Sequence, residues 1–126
     1  MNRDNKIIII DYQLGNLFSV KHACEKIGLN PIISNIRKEV IDAKAVILPG
    51  VGSFSTAMKN LNKLDLISPL KEISEKGTPI LGICLGLQLL FEESEESGLN
   101  KGLGIIKGNV KKISNNKNTS KIKIPN

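Results

Sequence analysis

Tryptophan is absent from this chain, and tyrosine, histidine and arginine nearly so: Tyr12, His22, Arg3 and Arg37 are the only ones in 126 residues. Two cysteines, Cys24 and Cys84, are too few for a disulfide framework, and neither belongs to a C-x-x-C pair. One histidine cannot complete a zinc site; no metal and no cofactor is expected. Long apolar runs are also missing. Nothing approaches the roughly 20 residues that a membrane helix needs. The four isoleucines after MNRDNK are too few for the core of a signal peptide. These absences lead to the expectation of a cytoplasmic chain without a membrane partner. The remainder is ordinary for one globular domain, with 40% hydrophobic and 24% charged residues.

The net charge of +6 is unevenly placed. From Lys101 onward there are seven lysines (Lys101, Lys107, Lys111, Lys112, Lys117, Lys121 and Lys123) and no acidic residue. Residues 1–100 hold 11 basic and 12 acidic side chains, a net of −1. A basic segment that binds nucleic acid usually interleaves aromatic residues on which bases stack. This one has none, so it reads as a solvated lysine face, and no nucleic-acid partner is expected. Asn118-Thr119-Ser120 matches a glycosylation acceptor, which a cytoplasmic chain would not use.

What is present alternates. KIIIID (6–11), PIIS (31–34), AKAVILPG (43–50) and TPILGIC (78–84) are short apolar runs that read as buried strands. NLFSVKHACEKIG (16–28), the 51–63 stretch after its loop, DLISPLKEISEKG (65–77) and LGLQLLFEESEES (85–97) read as helices. Gly28 stops the first, Ser53 or Ser55 caps the second, and Pro69 sits near the first turn of the third, where proline is tolerated. GLGIIKGNVKKI (102–113) and KIKI (121–124) read as two further strands around SNNKNTS. Strand–helix alternation of this kind predicts an α/β fold, a mainly parallel sheet with helices on both faces. It does not fix the order of the strands.

One strand–helix junction carries chemistry. GICLG (82–86) places Cys84 between two glycines, after an apolar strand and before a helix. A tight strand–turn–helix junction lifts its central side chain clear at the carboxyl end of the sheet, as in the serine version G-x-S-x-G. The amino end of the following helix would face the sulfur and favour thiolate. A buried cysteine at a strand end is the competing reading. LPGVGSF (48–54) decides between them, because it closes another parallel strand and so belongs at the same edge. The glycines around Val51 let the backbone approach a ligand, and its N–H groups, with that of Leu85, can donate to an oxyanion. A nucleophile also needs a base. His22 falls on the polar side of its helix, opposite an apolar face of Leu17, Val20, Ala23, Cys24 and Ile27 at about 100° per residue. It is expected to be solvated and out of reach of Cys84. Cys24 is expected to be a small buried side chain.

Taken together, IIIIDYQLGNLFSV, ILPGVGSFSTAM, GTPILGICLGLQLLFEESEE and GLGIIKGNVKKI, in this order and spacing, resemble the glutaminase subunits of imidazole glycerol phosphate synthase. These are class I (triad) glutamine amidotransferases of histidine biosynthesis. The resemblance covers nearly the whole chain and implies a flavodoxin-like three-layer fold. It also implies hydrolysis of glutamine and delivery of the ammonia to a (β/α)₈-barrel cyclase subunit in a heterodimer. It assigns Cys84 as the nucleophile that forms a glutamyl thioester. Gly50, Val51 and Gly52 match the oxyanion strand, Leu85 the second backbone donor, and Gln88 a residue that holds substrate glutamine. Gly15 and Asn16 match a loop near the site and the subunit interface. The family's histidine and glutamate follow a strand that usually reads K-[IV]-P-H; here KIPN ends with Asn126 at the histidine's position. The expectation is therefore a single partial domain, 1–126, without that base and carboxylate, inactive alone and with one sheet edge uncovered. Two other readings share the Cys84 motif: a non-catalytic remnant that only docks a partner, and a paralogous subunit feeding ammonia to surface-sugar biosynthesis.

Overall fold

A computed structural model of the chain describes residues 6–113. The four apolar runs form β1 (Ile7–Ile10), β2 (Ile32–Ser34), β3 (Ala45–Leu48) and β4 (Ile80–Gly82). They pair in parallel in the order β2-β1-β3-β4. β1 and β3 are central, and this is why their sequences are unbroken apolar runs: both faces are covered. Residues of a strand alternate between faces. Ile8, Ile10, Val46 and Leu48 enter the larger core, while Ile9 and Ile47 enter a smaller one.

Helices cover both faces, as expected. α1 (Leu17–Lys26) closes the smaller core with Cys24, helped by Leu17 and Val20. The larger core takes Val40 from α2 (Arg37–Ile41), Phe54, Ala57 and Leu61 from α3 (Phe54–Lys63), and Leu70 and Ile73 from α4 (Ile67–Glu75). α5 (Leu85–Leu89) adds Leu85 and Leu89 to it. α3 starts where Ser53 accepts a hydrogen bond from the Thr56 amide. No helix among the described residues is long and apolar enough to cross a membrane.

Several expectations need correction. The helix expected over 85–97 stops at Leu89, and β5 (Phe91–Ser94) follows almost at once. β5 is the middle strand of a second sheet, antiparallel to β6 (Asn100–Lys101) and parallel to β7 (Ile106–Val110). As a helix, 85–97 would have stacked Glu92 on Glu95 and Glu96, a like-charge arrangement that disfavours helix. As a strand its backbone finds partners on both sides, and Ser94 is fully buried. The strand expected over 102–113 is confined to β7. The expected strand 121–124 lies outside the described residues. The apolar face of α1 is narrower than its sequence suggests: Ala23 is exposed, and Ile27, which caps the helix, is 76% exposed. His22 is exposed, as expected.

Candidate active site

The site forms where β3 and β4 end side by side. Leu48 pairs with Gly82, so the turns that leave both strands start at the same edge. After β4 the chain turns through Cys84 with φ 54° and ψ −119°, a left-handed conformation that a side chain rarely adopts. The Ile83 amide donates to Leu48 O across 3.0 Å and anchors the strand side of the turn. The Leu87 and Gln88 amides donate to Cys84 O, at 3.0 and 3.2 Å, and anchor its helix side. The flanking glycines are there because the backbones nearly touch. A Cβ on Gly86 would lie 1.7 Å from Leu48 O, and one on Gly82 would lie 2.7 Å from the Cα of Leu87. Cys84 is thereby presented at the surface, whereas Cys24 is buried at 8% exposure in the smaller core. A backbone held in this way around an exposed thiol has the geometry of a nucleophile elbow.

The turn after β3 faces it. Gly50 is buried, Val51 is 59% exposed, and Gly52 has φ 105°. The Leu85 amide, expected to serve as an oxyanion donor, donates here to Gly50 O across 3.2 Å. That bond joins the two turns and occupies the Leu85 N–H. Gly15 approaches from the loop after β1, where a Cβ would lie 3.5 Å from the Cα of Gly50. Asn16 is the cap of α1, its side chain accepting from the Ser19 amide. Gln88, on α5, has a buried Oε1 with no hydrogen-bond partner among the described residues. A buried acceptor left open in this way is costly unless a donor, from a ligand or an ordered water, meets it.

Thus Gly15, Gly50, Leu85 and Cys84 come together, with Val51 and Gly52 on the same turn as Gly50 and Gln88 one helical turn beyond Cys84. His22 is one of the exposed residues of α1. Two residues were missed. Tyr12 is fully buried and donates from its hydroxyl to Pro49 O across 2.5 Å, and the Asn60 amide group donates to Tyr12 O across 2.9 Å. Burial pushes the Tyr12 phenol well above its usual pKa, so it stays a donor. The only hint in the sequence is that a lone tyrosine beside a strand end needs a partner for its hydroxyl when buried.

Comparison with known proteins gives the family. The family model described as glutamine amidotransferase class-I matches residues 8–125. The chain belongs to that family. Within it, the chain is 55% identical over 124 residues to the imidazole glycerol phosphate synthase subunit hisH of Cyanophora paradoxa, covering 98% of this chain and 56% of that protein. It is 52% identical over 102 residues to the HisH subunit of Geobacillus kaustophilus, covering 81% and 48%, and 51% identical over 106 residues to that of Aquifex aeolicus, covering 83% and 51%. The chain spans about half the length of the curated relatives it matches. A crystal structure of a glutamine amidotransferase shares the fold, with a TM-score of 0.70 at 21% identity over 82% of this chain and 55% of that one.

Proposed function

We propose that this chain carries the nucleophile half of a glutaminase subunit of imidazole glycerol phosphate synthase, acting in the cytoplasm in histidine biosynthesis with a (β/α)₈-barrel cyclase subunit as its partner. The observation that carries this reading is the elbow: an exposed Cys84 at φ 54° beside the Gly50–Gly52 turn. Its likeness to HisH subunits supports the choice of pathway and partner.

The chemistry follows from the placement. The Cys84 thiolate attacks the side-chain carbonyl carbon of glutamine, and a C–S bond forms as the carbonyl oxygen takes up negative charge. Backbone N–H groups of Val51 and Leu85 stabilise that oxygen once the Leu85 N–H is released from Gly50 O. The carbon–nitrogen bond then breaks, and the nitrogen leaves as ammonia with the proton that the Cys84 thiol gave up to the general base. Water attacks the thioester and releases glutamate, regenerating the thiol. Gln88 Oε1 accepts a hydrogen bond from the substrate. Gly15 and Asn16 place the loop after β1 beside the site, where a partner subunit would reach it.

In this reading His22 is not the general base. The single histidine, His22, is exposed on α1, whose inward residue is Cys24. Incubation with glutamine, followed by mass spectrometry and a glutamate assay, tests the reading. A glutamyl adduct confined to Cys84, with glutamate release near background, is expected. Turnover on the order of 1 s⁻¹ or more by the chain alone would contradict this reading of the base.

A further inference from the structure

We infer that Tyr12 is a positioning residue: its hydroxyl holds the Pro49–Gly50 peptide in the orientation in which Gly50 O takes the Leu85 N–H, and so governs whether that N–H is free for substrate. This rests on the glutaminase reading of the turn that carries Gly50.

Three contacts fix the peptide. Tyr12 Oη donates to Pro49 O, in a fully buried setting, from a residue 37 positions earlier. The next carbonyl along, Gly50 O, accepts from the Leu85 N–H across 3.2 Å. Two successive carbonyls are therefore pinned to opposite neighbours, β1's exit loop and the elbow. The fit is close: a Cβ on Gly50 would lie 2.0 Å from Tyr12 Oη, so residue 50 must be glycine for the clamp to exist. Tyr12 is itself held from behind, because Asn60 of α3 donates to Tyr12 O. α3 begins at Phe54, directly after the same turn, so the clamp closes a loop of contacts around residues 49–53.

The Gly50 carbonyl belongs to the next peptide and turns by rotation at Gly50 ψ and Val51 φ; Tyr12 fixes, by one buried hydrogen bond, the Pro49–Gly50 peptide on which that rotation pivots, and so limits how far the turn can adjust to allow it. Removing the hydroxyl while keeping the ring leaves the larger core filled and releases only the peptide. The Leu85 N–H then spends more time free.

Tyr12→Phe tests this with two readouts on the 126-residue chain. Amide exchange by NMR compares Leu85, whose acceptor is Gly50 O, with Ile9 in the centre of the sheet. Labelling of Cys84 compares a glutamine-shaped diazoketone, whose carbonyl needs the oxyanion donors, with iodoacetamide, which does not. We expect the Leu85:Ile9 exchange ratio and the diazoketone:iodoacetamide ratio each to rise about fivefold, the effect of one hydrogen bond of ordinary net strength. Asn60→Ala, which loosens Tyr12 without touching its ring, should move both ratios in the same direction even where Tyr12→Phe fails to fold. An unchanged exchange ratio overturns the inference. So does a raised exchange ratio with unchanged labelling, since Tyr12 would then hold the turn without governing the donor. Neither result bears on the glutaminase reading, which the preference of the diazoketone for Cys84 over Cys24 in the unaltered chain tests separately.

Discussion

The amide of Leu85 donates to the carbonyl of Gly50 across 3.2 Å, and this single bond ties the elbow after β4 to the glycine turn after β3. Both partners belong to the catalytic apparatus that the sequence suggests, yet here they satisfy each other. On the proposed reading, the consequence is an oxyanion site that is assembled in its parts and closed by its own backbone. Opening it requires the Gly50 carbonyl to turn away, and the groups around residues 49–52 decide how readily that happens.

The elbow depends on close backbone approach more than on helix propensity. Alanine at residue 86 would favour the helix by about 1 kcal/mol relative to glycine. It would also drive a methyl group to 1.7 Å from Leu48 O. The overlap should win, so Gly86→Ala should lower stability by about 1–3 kcal/mol. Urea unfolding checks this: the midpoint should fall with little change in slope. An unchanged midpoint would mean that the elbow has room to relax.

Tyr12 gives the fold a measurable pH dependence. It is the only tyrosine, so phenolate absorbance reports it alone. Burial raises its pKa above the unfolded value of about 10. Below pH 10 both states hold the proton, and the contribution to stability is complete. Above it the unfolded chain loses the proton first, so stability falls as pH rises. Native protein should show no phenolate absorbance at pH 10–11, and its urea midpoint should drop over that range. Phenolate that forms near pH 10 without unfolding would contradict the buried placement.

His22 should be dispensable. It is exposed on α1, and substitutions at such positions usually change stability by no more than about 0.5 kcal/mol. His22→Ala should stay within that limit and leave the alkylation rate of Cys84 unchanged. A large loss of reactivity would bring the imidazole into the site.

The parallel sheet was legible because unbroken runs such as IIIID and AVIL suit only strands covered on both sides. The elbow was legible only with LPGVGSF beside it, since G-x-C-x-G alone also suits a buried cysteine at a strand end. Its glycines proved to be required by contact, with Gly86 lying against Leu48 and Gly82 against Leu87. The second sheet was not legible. LLFEESEES is rich in helix-forming residues, and what makes Phe91–Ser94 a strand is pairing with Asn100–Lys101 and Ile106–Val110, a tertiary effect. α2 was missed because five residues carry almost no periodic signal. Tyr12 was missed for the same kind of reason: its partner, Pro49, lies 37 residues away, and no local pattern reports such a contact. The resemblance placed both the loop of Gly15 and Asn16 and the LPGVG turn near the site. It did not show that one holds the other.

The central claim is that Cys84 is built as a nucleophile for a glutamine-shaped substrate. Mass-spectrometric mapping after limited reaction with a glutamine-like diazoketone tests it most directly, because Cys24 is an internal control in the same molecule. Cys24 is buried against Ile9 and Ile47, whereas Cys84 is exposed at the elbow. The native chain should be labelled at Cys84 at least about tenfold faster than at Cys24, a difference of about 1.4 kcal/mol in barrier. Unlabelled glutamine should slow that reaction, and Cys84→Ala should abolish it. Equal labelling of the two cysteines under native conditions, or labelling of Cys84 that glutamine does not slow, would contradict the account.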